Sequence, residues 1–383
     1  MEYRLLGECV ETVIDHRGLT PKKLQGDWSQ VGYRAISAKN IKNGMLVNEG
    51  SMKRVDSVLY KRWMTEEIER GSIFITSEAP FGEVLYWDSD EKLVLSQRVF
   101  GLKARSSICD ARYLYYWMRC PYFQRELMGR STGTTVTGLR QPELLKCAVA
   151  VPDLEVQKKM ACALSIIDRK IALNNRLNDY LVDLATVLFE KALDEETCLI
   201  PFGELAELED SKRIPLNKQD REKRKGPYPY YGATSIMDYV DDYLFEGIRV
   251  LLGEDGSVMT DEGHPFLQYV WGKYWVNNHA HIIKAKSDYS LEALYLALRR
   301  TVINHIVTGA VQMKISQKNL NGLELQMPNL TTIPDFGPFF TMCRHNADEA
   351  KRLAKLRDIL LPKMMSGEID ASKISIDWKE DFE

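Results

Sequence analysis

No stretch of this sequence approaches the ~18 consecutive apolar residues that a membrane-spanning helix needs. Its opening, Met1-Glu2-Tyr3-Arg4, has no signal-peptide core. Both absences lead to the expectation of a cytoplasmic protein with no membrane partner. Cysteine is scarce and unpatterned: the seven (Cys9, Cys109, Cys120, Cys147, Cys162, Cys198, Cys343) are odd in number and never form C-x-x-C. Reduced thiols fit this better than a disulfide framework or zinc. Excess charge is missing too. A net charge of −3 over 383 residues gives no global pull toward nucleic acid, so any DNA binding would have to come from local basic clusters.

Catalytic signatures are also absent. The chain has no G-x-x-x-x-G-K-[ST], no G-x-G-x-x-G after a strand and no H-E-x-x-H, which removes P-loop, dinucleotide and zincin chemistry. No Asn/Asp-Pro-Pro-aromatic segment is present to hold a flipped base for methyl transfer. The six histidines form no metal pattern. His279 and His281 alternate on an expected strand, Trp275–Ile282, and would share a face. A ligand pair is one reading; with no third ligand in view, a polar strand face or a DNA-facing edge is the better one. Glu254-Asp255-Gly256-Ser257 and Asp261-Glu262-Gly263 could hold a cation, but such loops are ordinarily turns. The chain alone does not look like an enzyme, and no cofactor or metal is expected.

What is present begins with a length sufficient for two or three domains and an apolar share of 45% with 27% charged residues, the composition of a soluble globular protein. From Asp153 to Leu193 the pattern predicts one long helix. Asp153 suits an N-cap, and no Gly or Pro follows until Pro201. Apolar positions recur at Val156, Met160, Leu164, Ile167, Ile171, Leu177, Leu181, Leu184 and Leu188, with Asn174 filling the one gap. Such a stripe needs a partner. Pro338–Met365 supplies one, with apolar residues at Phe340, Cys343, Ala347, Ala350, Leu353, Leu356, Leu360 and Met364. Pro362 should kink or end that helix, and Gly367 stops it. An antiparallel pair is the simplest packing. Asn174 then either fixes register or sits at the edge of the seam.

The segments flanking the first helix are versions of each other. Gly71 and Gly247, Glu78 and Glu254, Gly133 and Gly309, and Pro152 and Pro328 all lie 176 apart. Lys103-Ala104-Arg105-Ser106 matches Lys284-Ala285-Lys286-Ser287 at 181, Leu114-Tyr115 matches Leu294-Tyr295 at 180, and Gly7-Glu8 matches Gly203-Glu204 at 196. The order is consistent and the offset drifts in small steps, which favours duplication over two unrelated α+β domains with a shared rhythm. Each copy mixes short β-rich runs with a helix, expected at Ala111–Met128 in the first.

Several loops suit DNA. Lys212, Arg213, Lys218, Arg221, Lys223, Arg224 and Lys225 open the second copy and lead into an aromatic turn, Gly226–Gly232. The first copy offers Arg17, Lys22, Lys23, Lys39, Asn40 and Lys42. The hydroxyl-rich loop with Arg130, Ser131, Thr132, Thr134 and Thr135 could approach a backbone closely, and its counterpart carries Gln312 and Lys314. Cations there would contact phosphates and position a duplex without reading it. A solvated charged loop is the competing reading for each.

The order unit–helix–unit–helix resembles the specificity subunit of Type I restriction-modification enzymes. The residues that carry the likeness are Tyr230–Tyr239 (YYGATSIMDY), Asp241–Gly247, Leu252-Gly253-Glu254-Asp255-Gly256-Ser257 and Trp275–His281, with Ile167–Leu177 in the first helix and Leu356–Ile369 closing the second. The resemblance implies two similar α+β target-recognition domains, pseudo-twofold, separated by two long helices packed as an antiparallel coiled coil. The boundaries are 1–152, 153–194, 195–331 and 332–383 for domain, helix, domain, and linker with helix and tail. It also implies a non-catalytic subunit whose domains each read half of a bipartite target on double-stranded DNA. Two methyltransferase subunits would dock on the helices, and restriction/translocase subunits would join them. Methyl donor, ATP and magnesium would belong to those partners. The first unit departs from the family wording, with Ser37-Ala38-Lys39-Asn40-Ile41 where the second has Gly232-Ala233-Thr234-Ser235-Ile236. The competing class is a two-headed protein-interaction scaffold that binds no DNA.

Overall fold

The computed structural model describes residues 2–132, 137–309 and 312–375. The chain divides into two compact units, residues 1–171 with 351–383, and residues 172–350. The first is built on a four-stranded antiparallel sheet in the order Val10–Asp15, Val99–Ala104, Ile73–Thr76, Val84–Tyr86. Ile73–Thr76 is buried on both faces. Because side chains alternate along a strand, Ile73 and Ile75 enter one core with Tyr113, Leu114 and Trp117, while Phe74 enters another with Trp63, Leu93 and Ile36. Arg54–Val55, Tyr33–Ile36 and Val94–Leu95 form a second sheet, its last two strands parallel. Glu2–Leu5 pairs with Ala148–Val151. The helix expected at Ala111–Met128 is two helices, Ala111–Arg119 and Pro121–Gly129. The break at Cys120 (φ −65°, ψ 142°) follows from Pro121, which drives the residue before it out of the helical region.

The second unit repeats this plan. Its four-stranded antiparallel sheet runs Ala206–Leu208, Ala280–Ala285, Arg249–Gly253, Leu267–Val270. Its second sheet runs Ile236–Val240, Lys225–Tyr231, Lys273–Val276, Phe245–Glu246, again with one parallel pair, Lys225–Tyr231 beside Lys273–Val276. Thr197–Pro201 pairs with Glu324–Pro328, and the helix Leu291–Arg300, capped by Ser290, stands where Ala111–Arg119 does. The duplication is therefore one of topology as well as of wording. Two sequence expectations give way. Gly226–Tyr231 is strand rather than turn, with Pro227 accommodated where the register shifts between Lys225 and Tyr228 and Pro229 facing Tyr239. His279 and His281 do not share a strand, because Asn277–His279 form the turn between Lys273–Val276 and Ala280–Ala285.

The two long helices are Leu154–Glu195 (42 residues) and Gly337–Met365 (29 residues). Pro362 lies inside the last turn of the second without ending it, and Gly367 follows with φ 79°. Within the first unit the helices run antiparallel: Lys159 Nζ reaches the Ser372 carbonyl at 3.1 Å, and Arg357 meets Asp168 at 2.6 Å. Met160, Ala161 and Leu164 share a core there with Leu361, Met364 and Met365. Within the second unit the same sense holds. Asn174 Nδ2 donates to Glu349 at 2.8 Å, Asn178 Nδ2 to the Cys343 carbonyl at 3.0 Å, and Asn346 Nδ2 to Asn178 Oδ1 at 2.9 Å. Asn174 is thus a seam residue, only 1% exposed. Beyond it the buried face continues through Ala185, Phe189 and Ala192, while Leu177 and Leu184 are 38% and 48% exposed. The apolar periodicity placed those two leucines in the seam because it skipped its polar members, whose amides are satisfied across the pair.

Candidate nucleic-acid interface

Three segments meet at one end of each unit. In the first, the end of Tyr33–Ile36 continues into Ser37–Asn40, and Ser96 N donates to the Ile36 carbonyl at 2.9 Å. In the second, the end of Lys225–Tyr231 continues into Gly232–Ser235, and Asn277 N donates to the Tyr231 carbonyl at 3.0 Å. Further bonds tie in the third segment. Ser77 N bonds the Arg98 carbonyl (2.8 Å) and Leu139 N the Ser77 carbonyl (3.1 Å); Glu254 N bonds the His279 carbonyl (2.8 Å) and Ile315 N the Glu254 carbonyl (2.9 Å). Ser77, not Glu78, therefore holds the place of Glu254. The 176-residue spacing slips by one within the preceding strand, since Val99 faces Thr76 and Ala280 faces Gly253. With that correction, the ion pair Arg98–Glu78 (3.3 Å) in the first unit stands where His279–Asp255 stands in the second.

The expected DNA contacts fare unequally. Arg17 pairs with Asp15 at 2.8 Å, donates to the Leu139 carbonyl at 2.7 Å and lies over the Phe100 ring, so it braces the loop junction. Arg213 does the same in the second unit through Glu254 (2.6 Å) and the Ala280 carbonyl (2.7 Å). Arg221 holds the Leu216 carbonyl at 2.7 Å. Asn40 is fully buried, its amide accepting from Ser37 and donating to the Val47 carbonyl, and has no surface to offer DNA. Lys23 bonds the Gly18 carbonyl, Arg130 pairs with Glu126, and Ser131 bonds the Met128 carbonyl. Lys212 pairs with Glu209, Arg224 with Asp241, Lys225 with Asp238, and Lys314 with Glu254. Lys218 lies 3.9 Å from Glu222, and Thr132 forms a backbone bridge with Gly138. Thr134 and Thr135 lie outside the described residues. Lys22, Lys39, Lys42, Lys223 and Gln312 are exposed. Exposed pairs such as Lys225–Asp238 are weak, and their cations can re-pair with a phosphate; Arg17, Arg213 and Arg221 are held by the fold.

Beneath the second unit's loops lies a buried polar cluster. Asp210, Glu254 and His281 bring ligand atoms within 4.8 Å of one another, a metal-like grouping. Their hydrogen bonds argue otherwise. His281 Nδ1 faces Asp210 Oδ2 at 2.6 Å and Nε2 faces the Ile315 carbonyl at 2.9 Å, so both ring nitrogens are already engaged by protein oxygens. Asp210 also accepts from Ile282 N (2.9 Å) and Gln317 Nε2 (2.6 Å). Burial by itself would raise the Asp210 carboxyl, but the hydrogen bond and charge of His281, with those two donors, hold it below its ordinary value. The cluster locks the loop ends.

Comparison with known proteins gives this arrangement its context. The family model for the Type I restriction modification DNA specificity domain matches residues 1–181 and again 199–333. The chain belongs to that family. Each match falls on one set of the duplicated sheets, so the specificity family's domain corresponds to the repeat found in the fold. A Haemophilus influenzae protein named as a type I restriction enzyme specificity subunit is 32% identical over 131 residues, 34% of this chain and 33% of that protein. The match thus spans a third of that relative's length. The MjaIX specificity subunit of Methanocaldococcus jannaschii is 21% identical over 347 residues, 80% of this chain and 79% of its own. The S subunit of a Type-I restriction-modification system from M. genitalium has a similar fold, with a TM-score of 0.56 at 18% identity over 95% of each chain.

Sequence reasoning about this specificity-family chain overlooked Trp28, Trp63, Lys53 and Gln97. With Lys22 and Lys39 they line a cavity of about 410 Å³ in the first unit, Lys53 lying over the Trp28 ring. The aromatic residues come from separate segments, and no local pattern links them.

Proposed function

We infer that this chain is the sequence-reading component of a Type I restriction-modification assembly, each recognition domain (1–152 and 195–331) addressing one half of a bipartite DNA target. The observation that carries the reading is the internal repeat. Two units of one topology bring the same three segments together, yet fill them with different side chains, as two readers of different half-sites require. Phosphate contacts fall to Lys22, Lys39, Lys42, Lys218 and Lys223, with Lys212, Arg224, Lys225 and Lys314 re-pairing on DNA, and Gln312 adds an exposed polar contact.

Catalysis is assigned to partners, and this chain supplies position. The long helices offer the docking face. Leu173, Leu177, Tyr180, Leu184 and Val187 are exposed on the first helix in steps of four and three, a second apolar stripe with Arg176 lying over the Tyr180 ring. Two methyltransferase subunits are the occupants this reading assigns to the helices, with restriction/translocase subunits joining the complex. No observation favours the DNA-free scaffold.

The test is to map adenine methylation genome-wide with and without the chain and its methyltransferase partner. A split motif should appear only with both. Affinity for duplex should also fall steeply with salt. A complex that binds no duplex even at low salt would end the proposal.

A further inference from the structure

We propose that Gln97 and Asn278 are the base-reading side chains of the two half-sites, each making paired hydrogen bonds to the major-groove edge of an adenine. The inference rests on the reading of the chain as a DNA-recognition subunit and adds which residues discriminate.

The two positions are equivalent by four independent relations. Each follows the strand that runs parallel to its neighbour, Val94–Leu95 beside Tyr33–Ile36 and Lys273–Val276 beside Lys225–Tyr231. Each follows a residue whose backbone N–H bonds the last carbonyl of that neighbour, Ser96 to Ile36 at 2.9 Å and Asn277 to Tyr231 at 3.0 Å. Each precedes a cationic or imidazole residue paired with an acid, Arg98 with Glu78 and His279 with Asp255. Finally, they lie 181 apart, the offset at which Lys103 meets Lys284 further along the same strand pair.

Their chemistry singles them out from their neighbours. Ser96 and Asn277 are 6% and 3% exposed, and Arg98 and His279 are tied to carboxylates. Gln97 and Asn278 are exposed, and neither side-chain amide has a hydrogen-bond partner among the described residues. A free amide presents a donor and an acceptor side by side, the complement of adenine N7 and N6. Being uncharged, it gains little from phosphate, so its exposure is more useful to a base than to a backbone.

The supports are rigid, as a reader requires. Arg98 sits in the left-handed region at φ 66°, a conformation costly for a residue with a Cβ, and is held there by Ser77 N on its carbonyl and by Glu78. His279 N donates to Asn277 Oδ1 at 2.8 Å, which closes the turn around Asn278. In both units the amide stands just beyond the end of a packed strand.

The experiment uses the full chain with its methyltransferase partner and reads the methylation motif of Gln97→Ala and Asn278→Ala. Each variant should relax one A·T position in one half of the motif, with discrimination falling about tenfold or more there and the other half unchanged. Gln97→Glu, which can only accept, should move the preference at that position toward cytosine. An unchanged motif in both alanine variants would overturn the assignment while leaving the recognition function standing, as would a uniform loss of affinity with every base preference intact. A parent chain that directs no split motif would instead overturn the recognition function itself, and this pair with it.

Discussion

Asp210 is more acidic in the folded unit than in the unfolded chain, since its bonds to His281, Ile282 and Gln317 outweigh its burial. A depressed carboxyl stabilises the fold at every pH above the unfolded value near ~4. That contribution fades as pH drops through the folded value. Calorimetry below pH ~4 should therefore show the second unit losing stability, and Asp210→Asn should flatten that acid limb. Asp210→Ala removes one side of a buried pair and should cost on the order of 3–5 kcal/mol at neutral pH, seen as a lower melting temperature. None of this was legible from spacing. His281 was paired in the sequence with His279, two residues away, whereas its partners Asp210 and Ile315 come from 71 and 34 positions off. Non-local contacts of this kind are created by sheet order, which a local pattern does not carry.

The central helix carries two apolar faces, one closed against the second helix and one open. Leu177→Lys with Leu184→Lys, both on the open face, should abolish co-purification of the methyltransferase subunit while leaving the unfolding free energy within about 0.5 kcal/mol of the parent. Loss of folding instead would mean that the stripe is internal. The helix itself was readable because its period is sustained over 42 residues without Gly or Pro. Its seam was not, because Asn174 and Asn178 occupy inward positions that an apolar count passes over. The expected Ala111–Met128 helix failed for a local reason that the sequence did hold, Pro121. Among the candidate DNA residues, charge was visible but commitment was not. Arg17 and Arg213 look like Lys22 and Lys223 in a sequence, and only the loop carbonyls they hold distinguish them. If the helices set the spacing between half-sites, inserting a few residues into Leu154–Glu195 should change the spacer of the methylation motif before either half-site. An unaltered spacer would show that the helix is not the ruler.

Over the whole molecule, the repeat predicts modularity. Exchanging residues 1–152 for the corresponding segment of another family member should change one half of the motif and preserve the other; alteration of both halves would contradict the one-unit, one-half assignment. The division of the chain has a further consequence for how it is made. The first unit holds residues 1–171 and 351–383, and its core includes Leu361, Met364, Met365 and Ala371 beside Leu6, Tyr113 and Met160. The second unit is one uninterrupted segment, 172–350. During synthesis, which proceeds from the N-terminal side, the second unit has all its parts once residue 350 is available. The first must leave part of its core open until residues 361–371 arrive. Of the two units, the one that begins first is thus completed last, and its apolar core waits for residues 361–371 while the second unit is made.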